Sequence, residues 1–329
     1  MKSKRTADKR MRDVGEDAVI RALLRVLGRA PSGTTGPGDD CAVVPLPDSP
    51  WEWHLTSDPV VEGIHFLADT PPRAIGHKAV GRVLSDLAAM GSEPQWLLID
   101  VTAPPDYPVR ALQDIYRGAS RLAKRCGATI MGGDVGKAEQ LSLHVFGIGQ
   151  APVNQGILRR GARAGDFIFV SGRLGGSLLG RHLKFIPRVA EGQWLRTCGG
   201  VTAMMDISDG LATDLPRLLA LNGLGAELEA ASIPIHPDAR RMEDTHSDLY
   251  HALTDGEDFE LLFTVSPRHR EQLESDWKAT FKLPCRCIGR ITGQAQQFLI
   301  QYPDGRQEQW TAAGFQHFVS GEPEREHFK

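Results

Sequence analysis

Residues 201–210 read Val-Thr-Ala-Met-Met-Asp-Ile-Ser-Asp-Gly, an apolar run that ends on two aspartates and a glycine. The run 201–205 is typical of a buried strand, and we expect a helix to follow Gly210. Aspartates at such a junction lie where the strand leaves the core, so they can reach a ligand. This stretch therefore predicts an α/β protein with acidic groups at its strand ends.

Four more short acidic motifs share this arrangement. Each places an aspartate beside Gly or Ser, and they are Gly38-Asp39-Asp40, Ser57-Asp58, Ser85-Asp86 and Gly132-Gly133-Asp134. Carboxylates that are brought together repel each other, and divalent cations relieve that repulsion. Mg²⁺ that is bound by carboxylates usually binds substrate phosphates as well. The five motifs together indicate a single Mg²⁺-dependent site for phosphoryl transfer.

The composition excludes several classes of protein. The chain has 329 residues, of which 41% are hydrophobic, and this length favours two domains. Its 38 basic and 41 acidic residues give a net charge of -3. No overall basic field exists to hold nucleic acid or an anionic membrane, so we expect neither as a partner. No stretch approaches the ~20 apolar residues of a membrane span.

The cysteines and the amino-terminal residues indicate a cytoplasmic protein. The five cysteines are an odd number and are scattered, which favours reduced thiols over disulfides. Cys285 and Cys287 are too close for the usual zinc pattern, so we interpret them as strand residues. Residues 1–12 contain six Lys and Arg without a following apolar region, which predicts a basic tail rather than a secretory signal.

The order of predicted elements alternates helices and strands. In the first half we expect helices at 15–27, 72–90 and 108–126, and strands through Val43 and at 53–57, 95–102, 128–131 and 141–149. Residues 151–165 are polar and rich in glycine, which predicts a domain boundary. The second half has predicted strands at 166–171 and 261–265. The predicted division is a basic tail at 1–14, a first domain at 15–150 and a second domain at 151–329.

Six segments in a fixed order resemble the thiamine-monophosphate kinase family, which belongs to the superfamily of aminoimidazole ribonucleotide synthetase and selenophosphate synthetase. Besides the motifs above, the similar segments include Leu84-Ser85-Asp86-Leu87-Ala88-Ala89-Met90-Gly91, Asp206-Ile207-Ser208-Asp209-Gly210-Leu211 and Gly256-Glu257-Asp258-Phe259-Glu260-Leu261. The likeness spans roughly residues 15 to 318. It implies a two-domain α/β (α+β) fold, with a mixed amino-terminal sheet whose domain forms a homodimer, and a carboxy-terminal α/β domain.

The resemblance also implies a reaction, in which the γ-phosphoryl group of ATP moves directly onto thiamine monophosphate with the help of several Mg²⁺ ions. It implies metal ligation by Asp39, Thr56, Ser57, Asp58, Asp86, Asp134, Asp206 and Asp209. It implies ATP contacts from Tyr116, Gly133, Asp134, Arg159 and Ser208, and substrate contacts from His65, Glu257 and Phe315. Asp58, Asp134 and Arg159 are the implied catalytic residues.

For each of these residues, a purely structural role is the alternative to ligand binding. Aspartate commonly caps helices and bonds its own turn, and we interpret Asp40 and Asp214 in that way. His65, Tyr116 and Phe315 could serve packing alone. Arg159 is followed by Arg160, and the sequence leaves open which of the two meets phosphate.

The chain also departs from the family pattern. Pro59, Val135 and Gly136 replace hydroxyl residues of the family, and Lys184-Phe185 replaces an Arg-Pro pair. Pro216 interrupts a segment that is helical in the family. These changes leave two alternatives to the kinase: a related ATP-dependent enzyme with another small acceptor, and a non-catalytic protein that binds nucleotide or thiamine phosphate.

Overall fold

The computed structural model describes residues 10–28 and 30–310, in which two β-sheets are joined by a central helix. The amino-terminal sheet has the order β1-β2-β6-β3-β4, and β5 also pairs with β3. Its strands are β1 (Ala42–Pro45), β2 (Trp51–Val61), β3 (Glu93–Ala103), β4 (Thr129–Gly132), β5 (Val135–Lys137) and β6 (Ser142–Pro152). Because β3 runs parallel to β4 and β5 but antiparallel to β6, the sheet is mixed.

Two long helices cover one face of this sheet. The helices of this half are α1 (Met11–Val14), α2 (Glu16–Leu27), α3 (Pro72–Ala89) and α4 (Val109–Arg125). Helices α3 and α4 approach so closely that a Cβ on Gly76 would lie 1.9 Å from the carbonyl oxygen of Ile115. A Cβ on Gly118 would lie 2.0 Å from the carbonyl oxygen of Arg73. Two glycines therefore permit the close packing of α3 against α4.

The carboxy-terminal sheet has the order β13-β12-β9-β11-β7-β10-β8. Its strands are β7 (Phe167–Ser171), β8 (Val201–Asp206), β9 (Gly225–Glu229), β10 (Leu261–Val265), β11 (Cys285–Thr292), β12 (Phe298–Gln301) and β13 (Gln307–Gln309). The helices of this half are α5 (Val189–Cys198), α6 (Leu211–Ala220), α7 (Asp248–Thr254) and α8 (Arg270–Thr280). One apolar core joins the halves, since Ala88 and Ala89 of α3 pack with Phe169 and Phe263.

The predicted α/β architecture is confirmed, and two local differences have physical reasons. Strand β2 runs through Pro59, although proline has no N–H to donate to a neighbouring strand. β1 pairs only with residues 52–55 of β2, so the proline lies beyond the part of β2 that β1 covers. Helix α6 continues through Pro216, although the sequence predicts an interruption there. Pro216 cannot donate to the Ala212 carbonyl, and the Trp310 indole donates to that oxygen instead, at 3.4 Å.

No helix within the described ranges is both long enough and apolar enough to cross a membrane. The five cysteines, all of them in the described part of the chain, are free thiols. Cys285 and Cys287 lie in β11, as predicted.

Candidate active site

Three aspartates from distant parts of the chain form the centre of the site. Asp40 precedes β1, Asp86 lies in the last turn of α3, and Asp206 ends β8. One carboxylate oxygen from each lies within 4.8 Å of the others. We call Asp40, Asp86 and Asp206 the carboxylate cluster. It draws its members from both sheets and from the helix between them, so it forms only when the two halves pack together.

Hydroxyl groups fix the orientation of two of these acids. Thr56 Oγ1 donates to Asp86 Oδ2 at 2.6 Å, and Ser85 Oγ donates to Asp206 Oδ2 at 2.6 Å. Each bond occupies one oxygen and leaves the other available to a cation. Thr56 was predicted to bind metal itself, and here it supports a candidate ligand.

The cluster carries an electrostatic cost when it holds no cation. Burial and then the charge of Asp40 raise the pKa of Asp206 to about 7. Burial, followed by the charges of Asp206 and Asp58, raises the pKa of Asp86 well above its usual range. Hard oxygen donors that repel one another in this way fit a divalent cation such as Mg²⁺.

Arg159 lies at the rim of the cluster, held by two neighbouring aspartates. Its backbone N–H donates to Asp39 Oδ1 at 2.7 Å, and its guanidinium donates to both oxygens of Asp40 at 3.1 and 2.7 Å. Burial is the main cause that raises the pKa of Asp39 to about 6. Arg160 is exposed. Of the two arginines that the sequence left open, Arg159 is the one that reaches the acids.

A second group of charged residues lies beside the cluster. Arg82 of α3 binds both oxygens of Asp58, and its Nη1 lies 3.4 Å from Glu257 Oε1. Lys78 Nζ donates to Glu257 Oε2 at 2.5 Å, and His182 Nδ1 lies 2.9 Å from the same oxygen. We call Asp58, Arg82, Glu257, Lys78 and His182 the ion-pair network. Burial raises the pKa of Glu257, but Lys78, His182 and Arg82 outweigh it and leave that pKa below its usual range.

The segment that carries Glu257 has an unusual backbone. Glu257 has a φ of 53° and Phe259 a φ of 51°, which are left-handed values that few non-glycine residues adopt. The acids of this segment are held by the segment before α5: Arg181 donates to Asp258 at 2.8 Å, and Arg188 donates to both oxygens of Glu260. Strained backbone that is fixed by charged contacts is common at ligand sites.

Several predicted residues are not members of the carboxylate cluster. Ser57 is exposed and faces the other side of β2, because side chains alternate along a strand. Asp134 is also exposed, and its carbonyl accepts from Val101 N–H at 2.9 Å. Asp209 is paired with Arg217. Phe315 lies outside the described residues.

The other predicted residues occupy defined positions near the site. Gly133 has a φ of 149°, and a Cβ there would lie 1.8 Å from the Ile99 carbonyl oxygen, so glycine is required. The same oxygen accepts from Tyr116 Oη at 3.3 Å. His65 is buried, and its Nδ1 accepts from Val61 N–H at 3.0 Å. Ser208 N–H donates to Asp214 at 3.0 Å, which agrees with a structural role for Asp214.

Sequence reasoning missed four residues of the site. Asp40 was interpreted as structural, yet its carboxylate lies in the cluster. Arg82, Lys78 and His182 were not singled out. A signal for two of them was present, because Lys78, Arg82 and Asp86 recur at intervals of four in a part of α3 where Ser85 is the one other polar residue.

The raised pKa of Asp206 predicts how Mg²⁺ binding depends on pH. Between about pH 4 and 7 Asp206 is protonated in the folded state but ionised in the unfolded state, so metal-free stability falls as pH rises. A Mg²⁺ ion bound by Asp206 would compete with that proton. We expect the increase in melting temperature caused by Mg²⁺ to be larger at about pH 7.5 than at about pH 5.5. An increase that is the same at both pH values, or one that Asp206→Asn leaves unaltered, would contradict this assignment.

Comparisons with known proteins agree with this architecture. The chain matches AIR synthase related protein, N-terminal domain, over residues 38–151, and AIR synthase related protein, C-terminal domain, over residues 173–300. It is 36% identical over 290 residues to thiamine-monophosphate kinase of Rhodopirellula baltica, covering 84% of this chain and 88% of that protein. It is 34% identical over 303 residues to the Haemophilus influenzae thiamine-monophosphate kinase, covering 85% and 90%.

A solved structure, AaThiL complexed with AMPPCP and TMP, superposes with a TM-score of 0.81 at 28% identity. The alignment covers 95% of this chain and 100% of that one. The fold and the carboxylate cluster thus define a protein of the AIR synthase related class. Within that class, the chain belongs to the thiamine-monophosphate kinase family.

Proposed function

We propose that this chain transfers the γ-phosphoryl group of ATP to the phosphate of thiamine monophosphate, giving thiamine diphosphate and ADP. Its kinship with thiamine-monophosphate kinases supports this reaction, and a related structure holds AMPPCP and TMP. The observation that carries the proposal is the carboxylate cluster lying beside the ion-pair network, which contains the cations Lys78 and Arg82. Such a site can hold two anionic phosphates close together.

The residues of the cluster fit Mg²⁺, since all three donors are carboxylates whose repulsion a cation would relieve. When bound there, Mg²⁺ would offset the charge of the donor and acceptor phosphates. Arg159, held by Asp39 and Asp40, adds a fixed positive charge at the rim. The acceptor phosphate is already largely deprotonated near pH 7, its second pKa being about 6, so the protein needs no strong general base. Positioning and charge compensation are therefore the main contributions of the protein.

A cleft beside α4 supports the placement of the nucleotide. It has a volume of about 710 Å³ and is lined by Tyr116 together with the basic residues Arg73, Arg117, Arg121 and Lys124. Ile99 connects this cleft to Gly133, because its carbonyl oxygen contacts both Tyr116 and Gly133. We place the base and sugar of ATP in this cleft and its phosphates toward the carboxylate cluster. Thiamine monophosphate then lies at the Glu257 end, where a carboxylate can face the cationic thiazolium ring.

The decisive experiment is a single-turnover assay with ATP, Mg²⁺ and thiamine monophosphate. We expect stoichiometric formation of thiamine diphosphate and ADP, and none when Mg²⁺ is replaced by a chelator. Thiamine and inorganic phosphate serve as control acceptors. If the enzyme binds ATP but forms no thiamine diphosphate, the acceptor is another small molecule; if it releases no ADP with any acceptor, the chain is a binding protein.

We also propose that two chains form a homodimer through the open face of the amino-terminal sheet. This face is apolar across three strands: Leu55, Ile148 and Trp96 form one cross-strand row, and Phe146 and Leu98 lie in the next. Trp96 is 41% exposed and Leu98 is 42% exposed. Contiguous exposed apolar surface of this kind marks interaction sites, and a second copy offers the same apolar rows in return.

The dimer proposal makes a prediction about Leu98. A carboxylate at this position would be buried without a partner in the interface, so we expect Leu98→Asp to convert the dimer to monomer in light scattering after gel filtration. Leu221→Asp is the matched control, because Leu221 is 44% exposed in the carboxy-terminal half. A Leu98→Asp protein with the parent mass would place the interface elsewhere.

We propose a division into domains at 15–150 and 151–329, and β6 of the amino-terminal sheet ends at Pro152, two residues beyond that boundary. The free thiols support a reducing compartment, and we place the protein in the cytoplasm.

A further inference from the structure

Arg82 is a basic residue of the site to which the reaction described above gives no step of its own. It lies in α3, one turn after Lys78 and one turn before Asp86. Residues at intervals of four share one face of a helix, so these three side chains point to the same side. At 1.5 Å of rise per residue, Arg82 lies about 6 Å along the helix axis from each of the other two. It therefore stands between the carboxylate cluster and the Glu257 end of the site.

The contacts of Arg82 fix its guanidinium and leave part of it available. Nε lies 2.8 Å from Asp58 Oδ2, Nη2 lies 2.9 Å from Asp58 Oδ1, and Nη1 lies 3.4 Å from Glu257 Oε1. A guanidinium carries five N–H donors, and these contacts with described residues use three of them. The side chain keeps 14% of its exposure. Two donors thus remain for an anion that enters from solvent.

The same contacts bear on Asp58. Both of its oxygens are bonded to Arg82, and a planar, permanently charged guanidinium matches a carboxylate better than any other cationic side chain does. Asp40 is held in the same bidentate way by Arg159, but one of its oxygens converges with oxygens of Asp86 and Asp206, whereas Asp58 is not a member of that group. A metal ion would therefore find three convergent carboxylates at the cluster, whereas the charge of Asp58 is compensated by Arg82.

We propose that Arg82 binds the phosphoryl group in transit between the two phosphates, in place of a metal ion at Asp58. The proposal rests on the phosphoryl transfer proposed above and adds no new covalent step. The acceptor oxygen forms a bond to the γ phosphorus, and the bond from that phosphorus to the bridging oxygen breaks, leaving its electron pair on ADP. Arg82 donates its two remaining N–H groups to the oxygens that carry the charge. Asp58 is then a positioning residue, which holds the guanidinium in place.

The test combines a rate with a count of metal ions. For Arg82→Gln we expect the single-turnover rate at saturating ATP and thiamine monophosphate to fall about 10²- to 10³-fold. The affinity for a non-hydrolysable ATP analogue should change by less than about threefold, since the loss is confined to the transition state. Arg82→Lys should recover only a small part of the rate, because lysine lacks the paired donors. Arg306→Gln, at an exposed ion pair between β12 and β13, is the matched control.

The ion count comes from titration with Mn²⁺ in the presence of the same analogue, followed by electron paramagnetic resonance. We expect Asp58→Asn to bind as many Mn²⁺ ions as the parent. Loss of one ion in Asp58→Asn, or an Arg82→Gln rate within about threefold of the parent, would overturn the proposal. If Arg82→Gln does not fold, the rate of Arg82→Lys and the ion count of Asp58→Asn still test the proposal. If the parent forms no thiamine diphosphate, the proposed acceptor fails, while the ion count continues to test Asp58.

Discussion

Asp86→Asn is expected to lower the single-turnover rate of thiamine diphosphate formation by about 10³-fold or more, which corresponds to about 4 kcal/mol of transition-state stabilisation. An oxygen of Asp86 lies within 4.8 Å of oxygens of the other two acids of the cluster, and its Oδ2 accepts from the hydroxyl of Thr56. An amide keeps the size of the side chain and a bond from Thr56, but it lacks the charge that attracts a divalent cation. The measurement is rapid-quench formation of product with enzyme in excess over thiamine monophosphate.

Stability separates this loss from misfolding. Because burial raises the pKa of Asp86 well above its usual range, a neutral amide relieves repulsion, and metal-free Asp86→Asn should melt no lower than the parent. The same variant should lose most of the Mg²⁺-induced rise in melting temperature. Asp304→Asn, an exposed acid in the turn before β13, is the control and should match the parent in rate and in melting. An Asp86→Asn enzyme with the parent rate would show that the cluster does not hold the catalytic cation.

The sequence predicts those acids of the site that occur in ordered motifs. Asp86 and Asp206 lie at the end of a predicted helix and a predicted strand, where a side chain can reach a ligand, but their meeting depends on the packing of the two halves. Asp39 and Asp40 cannot be told apart in this way, since they are adjacent in one turn. The structure distinguishes them through Arg159, whose backbone N–H binds Asp39 and whose guanidinium binds Asp40.

Other features depend on contacts between residues far apart in the chain. The ion-pair network joins Asp58, Arg82 and Glu257, which belong to a strand, a helix and a loop. No local pattern predicts that an arginine of α3 would take both oxygens of Asp58. The continuation of α6 through Pro216 depends in the same way on a distant tryptophan, Trp310.

Removal of the Lys78 ammonium is expected to produce the largest change in stability. Lys78 is fully buried, and its Nζ donates to the His65 carbonyl oxygen at 2.5 Å as well as to Glu257 Oε2 at 2.5 Å. Lys78→Met keeps the length of the side chain but leaves Glu257 without its nearest cation. Loss of one partner from a buried ion pair costs about 3–5 kcal/mol, because the remaining charge is uncompensated. Denaturant unfolding of the parent and the variant measures this difference.

The double variant Lys78→Met/Glu257→Gln tests the cause. If the penalty arises from the uncompensated carboxylate, then the neutral glutamine should recover most of the lost stability. Activity should stay low, because the double variant lacks the Glu257 carboxylate that faces thiamine monophosphate. Lys278→Met, an exposed lysine of α8, is the control and should change the free energy of unfolding by less than about 0.5 kcal/mol. A double variant as unstable as Lys78→Met would instead assign the role of Lys78 to the bond with the His65 carbonyl, and Glu257 would then be held by Arg82 and His182.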